Sequence, residues 1–256
     1  MTYRTALTIL FPLFLLTTGC DYVRTELAFR RANQAEQERD YEALLRISLP
    51  EARRPGPDQP AFLTFAGRAY RGLGRLGAAK AAGLRGLELA PVPGVEANLY
   101  ELLSDVYAQT DSTAQALWYA KRSIQANPDD IILWNNCGHI HMQLGEYEQA
   151  VVLYTAATER FPPHPFVLNN RAECHIRLGQ LDAADADLRA SHRLDPNNPY
   201  LYKNKALYHQ RRNEPALACQ HAARAARLFD DKLGYTYDKA SLAELLAACD
   251  LKGIPD

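Results

Sequence analysis

The stretch Ile131–His164 reads IILWNNCGHIHMQLGEYEQAVVLYTAATERFPPH, and it contains two runs of residues with helical spacing on either side of Gly145. Glycine and alanine recur where two helices must approach closely, while Trp134 and Tyr154 are large enough to fill the space between them. Pro162 closes the stretch, because proline interrupts a helix. The pattern predicts a pair of antiparallel helices joined by a short turn.

The same pattern returns at a fixed spacing along most of the chain. One period later it is carried by Leu168, Ala172, His175, Gly179, Leu181, Ala184, Leu188 and Pro196. The period predicts five units, 60–93, 97–130, 131–164, 165–198 and 199–232, with a three-residue insertion after the first. A period held this long indicates a repeat protein, in which each unit packs against its neighbours.

The spacing of these residues resembles the tetratricopeptide repeat (TPR), a helix pair of about 34 residues. The resemblance implies an all-α, right-handed α-solenoid of about five to six helix pairs with a C-terminal capping helix. We interpret 20–50 as an N-terminal helical segment forming a degenerate repeat, in which Pro50 ends the helix. Residues 51–59 are proline-rich and predict a linker. The segment 233–256 is predicted to contain the capping helix, ending near Cys249, and a tail.

Residues 1–19 predict an export signal. Arg4 provides a positive charge, and the apolar run Ala6–Leu16 that follows is shorter than the roughly 20 residues that cross a bilayer. The sequence Leu16-Thr17-Thr18-Gly19-Cys20 resembles the lipobox of bacterial lipoproteins, which implies lipidation of Cys20 and anchoring at the periplasmic side of a bacterial cell membrane. An ordinary cleaved signal and a retained membrane helix stay as alternatives. The choice between inner and outer membrane stays open, although Asp21 resembles an inner-membrane retention signal.

Composition and motifs give no indication of an enzyme, a cofactor or a metal site. The net charge of −1 gives no reason to expect a nucleic-acid partner. Residues 72–77 (GLGRLG) match a dinucleotide-binding motif by letter, but we expect them at a turn between two helices rather than after a strand. His141, His175 and His209 recur one period apart, so we expect them roughly 10 Å apart, too far to share one zinc ion.

Four cysteines follow Cys20 in the sequence. In an oxidising periplasm disulfides persist, and packing of the last helix on the last repeat would bring Cys219 and Cys249 together. The sequence therefore offers two interpretations, a disulfide between Cys219 and Cys249 or buried free thiols.

In TPR arrays the first helix of each repeat lines a concave groove, and this family property implies a partner-binding surface here. We expect it to be formed by Asn135, Asn136, His139, Gln143, Phe166, Asn169, Asn170, Glu173, Arg177, Tyr200, Lys203, Asn204 and Arg211. The recurring asparagines would pair with the backbone of an extended peptide, or alternatively bond neighbouring parts of the array. Phe166 and Tyr200 would hold apolar side chains of a ligand, or pack between repeats.

These observations predict a non-catalytic scaffold or adaptor that binds a peptide segment or partner protein. The carboxylate clamp of chaperone-binding TPR domains is absent, because Leu207 replaces its asparagine and Glu101 and Asp105 would repel a carboxylate. We expect no nucleic acid, small-molecule substrate or cofactor. A structural, self-assembling component of a pilus or outer-membrane assembly machine is the alternative function.

Overall fold

The computed structural model describes residues 4–89, 91–110, 112–231 and 239–249, and describes side chains from residue 21 onward outside 230–241. Every regular element in these ranges is an α-helix. The helices are α1 (Arg4–Gln37), α2 (Tyr41–Ala52), α3 (Gln59–Gly72), α4 (Leu76–Glu88), α5 (Pro93–Ala108), α6 (Thr113–Ala126), α7 (Ile131–Gln143), α8 (Tyr147–Arg160), α9 (Pro165–Arg177), α10 (Leu181–Leu194), α11 (Pro199–Arg211), α12 (Pro215–Asp231) and α13 (Lys239–Ala247). The predicted all-α class is confirmed for the described chain.

The chain forms two compact units, Met1–Asn127 and Pro128–Asp256. Within each unit, consecutive helices pack against each other, and the first helices of neighbouring pairs also meet. Alanine occupies many of the most buried positions, which brings helix backbones close together. Large side chains such as Phe62 and Tyr154 fill the remaining space within their own unit.

Glycine is required where the two helices of a pair cross. A Cβ atom added to Gly138 on α7 would lie 2.6 Å from the ring of Tyr154 on α8, which is fully buried. The predicted role of small residues at this crossing therefore has a direct steric cause.

The turns between paired helices share one backbone conformation. Gly145 and Gly179 have φ angles of +75°, and Asn213 adopts +59° at the equivalent position. The next residue donates its N–H to a carbonyl five residues earlier, as Glu146 does to His141 at 2.9 Å. Glycine, and less readily asparagine, adopts positive φ, which explains why these residue types recur at the turn.

The prediction that Pro50 ends its helix is wrong, because α2 continues to Ala52. Pro50 removes one backbone N–H and its hydrogen bond, but α2 runs only two residues beyond it, so the interruption affects the very end of the helix. After Ala52, the N–H groups of Arg53 and Arg54 donate to carbonyls of the last turn of α2. The predicted linker 51–59 consequently overlaps α2 at its start, and α3 begins at Gln59.

At the C-terminal end, α13 packs on α12 and α11. Cys219 and Cys249 form a disulfide with an S–S distance of 2.08 Å. Of the two interpretations that the sequence offered for these cysteines, the structure contains the bridge. It links the start of α12 to the residues just after α13.

None of the helices in the described part of the chain combines the length and apolar character needed to cross a bilayer. The side chains of 1–20, including that of Cys20, lie outside the described residues, so the predicted signal and lipid site stay predictions.

Candidate partner-binding face

The first helices α7, α9 and α11 lie side by side in the second unit. We define the first-helix face as the thirteen residues of these helices that were predicted to line a groove. Asn169, Lys203 and Asn204 are buried. The exposed members are Gln143, Phe166, Arg177 and Arg211, and the half-buried members are Asn135, Asn136, His139, Asn170, Glu173 and Tyr200.

The asparagine side chains bond mainly to neighbouring first helices. Asn204 donates from its amide nitrogen to the backbone carbonyl of Asn169 at 2.8 Å. Asn170 donates in the same way to the side-chain oxygen of Asn135 at 3.0 Å. These bonds favour the second interpretation of the recurring asparagines, in which they hold successive repeats together. The side-chain amide of Asn169 itself is buried without a hydrogen-bond partner among the described residues.

Charged residues of the face pair across repeats. Lys203 on α11 lies 3.3 Å from the carboxylate of Glu173 on α9, and both side chains are nearly buried. Arg177 approaches the same carboxylate at 3.7 Å, one helical turn along α9. Burial lowers the pKa of the nearby His139, Glu173 partly opposes this effect and Lys203 adds to it. His139 is therefore a neutral, hydrogen-bonding group near pH 7.

The outer edge of the face is cationic and accessible. Gln143, Arg177 and Arg211 stand at one repeat position in three successive repeats, and all three are exposed. Arg211 makes no ion pair with a described residue. Arg177, Arg211 and Lys203 carry three positive charges, and Glu173 carries one negative charge. The face therefore has an excess of two positive charges among these four residues.

The two aromatic residues of the face differ in availability. Phe166 is 40% exposed and its ring lies 5.3 Å from that of His164. Tyr200 packs edge-on against Phe229 of α12, with ring centroids 5.0 Å apart. Phe166 thus offers apolar surface to a ligand, whereas Tyr200 mainly packs within its own repeat.

The first unit carries an ion-pair network at equivalent positions that sequence reasoning missed. Arg68 on α3 donates to Glu36 at 3.2 Å, to Asn98 at 3.1 Å and to Glu101 at 2.7 Å. The sequence contained a signal for this network, because Glu101 is one repeat period before Asn135 and therefore occupies the same position on a first helix. From the sequence alone, Glu101 was considered only as a residue that would repel a carboxylate. In the structure its charge is compensated by arginine.

Asp105 in the same unit pairs with Arg71. Burial raises the pKa of Asp105 to about 6, and the positive charge of Arg71 partly opposes that rise. The polar residues on the first helices of this unit are therefore largely occupied with one another.

The recurring histidines have a structural role. The Nδ1 atoms of His141 and His209 lie 2.6 Å from carboxylate oxygens of Glu146 and Glu214, each five residues later. His175 makes the equivalent contact with Gln180, also at 2.6 Å. Each bond spans the turn between the helices of one pair. Among the described residues, no group of three or more His, Cys, Asp or Glu side chains is arranged to hold a metal.

Cys137 and Cys174 are buried free thiols. Burial raises the pKa of Cys174 to about 12, so this thiol stays protonated and is a poor nucleophile near neutral pH. Neither cysteine provides the accessible thiolate that catalysis needs.

Residues 141–208 match the family model of the tetratricopeptide repeat. No curated protein matches this sequence significantly. Among solved structures, Pseudomonas aeruginosa PilF is similar with a TM-score of 0.59 at 19% identity, covering 76% of this chain and 87% of that one. PilW, described as a widely conserved type IV pilus biogenesis factor, has a TM-score of 0.60 at 16% identity, covering 74% and 86%.

YrrB, described as a TPR protein with an unusual peptide-binding site, is similar at a TM-score of 0.50 and 18% identity, covering 66% of this chain and 86% of its own. At these identities the likeness shows the fold alone. It agrees with the succession of helix pairs described above. Residues 141–208 therefore carry the tetratricopeptide repeat, and the helix pairs on either side of them share its turn-linked architecture.

Proposed function

We propose that the protein is a non-catalytic scaffold, anchored by a lipid on Cys20 at the periplasmic side of a bacterial cell membrane. It binds a peptide segment or partner protein on the first-helix face. The observation that carries this proposal is the exposed row of Gln143, Arg177 and Arg211. The exposed ring of Phe166 lies near the start of α9, roughly 16 Å along the helix from Arg177. These side chains remain accessible, while the asparagines and the Lys203 side chain behind them are held by their neighbours.

The chemistry of this row favours a ligand with acidic and apolar side chains. Two arginines at successive repeats offer planar donors to carboxylates, and the Phe166 ring at the other end of α9 accepts an apolar group of an extended ligand. The similarity to YrrB supports peptide binding as a use of this fold. Recognition of a partner by such a surface depends on a few exposed anchors rather than on the whole face.

Cross-linked recovery of partners from native envelopes tests the binding face. We expect the variant Arg177→Glu/Arg211→Glu to reduce recovery about tenfold, because it replaces attraction by repulsion at two contacts. The matched control Arg193→Glu/Arg227→Glu reverses two exposed charges on second helices of the same two repeats. Equal recovery by both variants, with circular dichroism unchanged, would exclude the first-helix face as the binding surface.

Fractionation tests the anchor separately. The Cys20→Ala variant should lose its acyl mass and leave the membrane fraction, since acyl chains supply the binding energy to the bilayer. A variant that stays in the membrane with residues 1–19 intact would instead support a retained helix.

The alternative function is a self-assembling structural component of an envelope machine. The similarity to the pilus proteins PilF and PilW motivates it. Light scattering of the purified protein separates the two functions, because an adaptor is expected to be monomeric or dimeric and an architectural component to form larger assemblies as its concentration rises.

A further inference from the structure

Arg171 on α9 has a complete set of partners in its own repeat and in the preceding one. It binds both carboxylate oxygens of Asp187 on α10 at 2.8 Å. It also donates to the hydroxyl oxygens of Thr155 and Thr158 on α8, at 3.2 and 2.9 Å. One cation is therefore matched by one carboxylate and two hydroxyl groups.

The next repeat keeps the cation but loses every one of these partners. One period later, Lys205 stands in the place of Arg171, and His221 stands in the place of Asp187. Arg189 and His192 correspond in the same way to Thr155 and Thr158. A histidine thus replaces the carboxylate, and an arginine and a second histidine replace the hydroxyl groups. The period of the chain makes this comparison direct, because equivalent positions occupy equivalent places in the helix pair.

Three of these residues gather around Tyr202 on α11, together with Arg224 of α12: Lys205, His192 and His221. The ammonium of Lys205 lies 5.4 Å, and the guanidinium carbon of Arg224 4.2 Å, from the centroid of the Tyr202 ring. The rings of His192 and His221 lie 6.3 and 5.9 Å from it. We call these five residues the Tyr202 cluster. Two cations thus approach one aromatic ring, between α10, α11 and α12.

The cluster holds positive charge that described side chains do not compensate. The pKa of Lys205 is lowered by burial and by Arg224, and the carboxylate that opposes this is Asp185. Asp185 itself pairs with Arg189. In addition, the Nδ1 atom of His192 is buried without a hydrogen-bond partner among the described residues.

We propose that the Tyr202 cluster binds a phosphate group through Lys205 and Arg224, with His192 as an additional hydrogen-bonding group. The bound group occupies the role that the carboxylate of Asp187 has in the preceding repeat. Two uncompensated positive charges match a dianion, and lysine and arginine are the usual phosphate ligands. Arg224 is exposed and Lys205 half-buried, so the cluster is open to solvent.

This site is separate from the proposed partner-binding face. Lys205 is rotated by about 200° around α11 from Lys203. The phosphate group has two sources, a free phosphate or the phosphomonoester of a lipid such as phosphatidic acid, and both present dianionic oxygens to the cluster.

Nuclear magnetic resonance of the seven histidine rings tests the proposal in the full chain, held in neutral detergent micelles. Sodium phosphate is titrated at constant ionic strength, and the signals of His192 and His221 should shift saturably. A bound anion opposes the effect of Lys205 and Arg224 on these rings, so the pKa of each should rise by about half a unit or more. His209, which stacks on His221, also lowers the pKa of that ring and is followed as a third reporter.

Two variants and one control decide the assignment. Lys205→Gln/Arg224→Gln should weaken phosphate binding at least about tenfold. His221→Asp should abolish it by restoring the internal carboxylate, and this variant keeps the cations in place. The control Lys80→Gln/Arg122→Gln removes a lysine and an arginine that lie over Tyr107 and Trp118, and it should bind phosphate as the parent does.

The remaining arms define the ligand. If the protein binds phosphatidic acid in micelles far more tightly than inorganic phosphate, the lipid headgroup is the source of the phosphate. If the two affinities are equal, the source is a soluble phosphate. Acetate binding as tightly as phosphate would overturn the phosphate assignment. Absence of any saturable shift, or a shift that persists in Lys205→Gln/Arg224→Gln, would overturn the site. Loss of partner recovery on charge reversal at Arg177 and Arg211 is independent of all these outcomes.

Discussion

Replacing Arg171 by methionine should strongly destabilise the second unit. The guanidinium joins three helices, because it donates to Asp187 on α10 and to two threonine hydroxyls on α8 from its place on α9. The Arg171 and Asp187 side chains are only 18% and 8% exposed. Methionine fills much of the same volume but leaves the Asp187 carboxylate buried, with His175 at 4.0 Å as the one remaining ion-pair partner among the described residues, and only when that histidine is protonated.

The size of this effect follows from the buried charge. Removing one partner of a buried ion pair typically costs about 3–5 kcal/mol of unfolding free energy. With a urea dependence of about 2 kcal/mol per molar, the unfolding midpoint should fall by roughly 2 M. The chain has two tryptophans, Trp118 in the first unit and Trp134 in the second. A Trp118→Phe background therefore makes fluorescence report on the unit that contains Arg171.

The double variant Arg171→Met/Asp187→Leu separates the cost of leaving one charge unpaired from the cost of losing side-chain packing. Removing both charges should recover most of the stability, since an apolar pair of similar volume often replaces a buried ion pair at little net cost. A single variant that loses less than about 1 kcal/mol would refute the reasoning. So would a double variant that is no more stable than the single one.

Three further perturbations follow from the same structure. Gly138→Ala should destabilise the second unit by about 1–3 kcal/mol, because its new methyl group meets Tyr154 at 2.6 Å, and urea denaturation measures the loss. The control Gly77→Ala meets no atom and should be neutral or stabilising. His221 has a pKa lowered to about 4, mainly by burial, so the stability that its neutral form contributes is complete above about pH 6.5 and falls towards pH 4. Denaturation across this range should show a loss of roughly 1–2 kcal/mol after discounting for its partial exposure, and His221→Gln should flatten the curve. Asn169→Leu should be neutral or stabilising, since it removes a buried amide without partners among the described residues, and thermal unfolding tests this expectation.

The helix pairs could be predicted from sequence because their determinants are local and repeat. Gly138 and Gly145 mark the crossing and the turn of one pair, and residues with the same roles return in neighbouring repeats. The error at Pro50 arose because a proline removes one backbone donor without ending the helix at once, and α2 continues for two residues beyond it. The pairing of Cys219 with Cys249 could be proposed but not chosen, since it depends on how α13 packs rather than on any repeated position.

The polar contacts of the first-helix face were beyond sequence reasoning for a different reason. The repeat position predicts that Asn204 projects from a first helix, but not that its amide reaches the carbonyl of Asn169 in the preceding repeat. Whether Lys203 is available to a ligand likewise depends on Glu173, which also lies in the preceding repeat. Several residues that were predicted to bind a ligand are therefore buried, whereas Arg177 and Arg211 are exposed.

The repeats also act as natural variants of one another, and this property distinguishes structural polar residues from residues with a possible ligand. Arg171 and Lys205 share one repeat position, yet of the two only Arg171 binds a carboxylate at the equivalent place in its helix pair. Because the surrounding helix pair is the same, the difference cannot be attributed to a change of fold. The carboxylate that acts on Lys205, that of Asp185, also pairs with Arg189, so the stabilisation of Lys205 depends further on solvent or on an external anion. Half-burial of Lys205 and the approach of Arg224 to the same ring make solvent alone the weaker stabiliser, which is the physical reason to seek a bound phosphate at Tyr202.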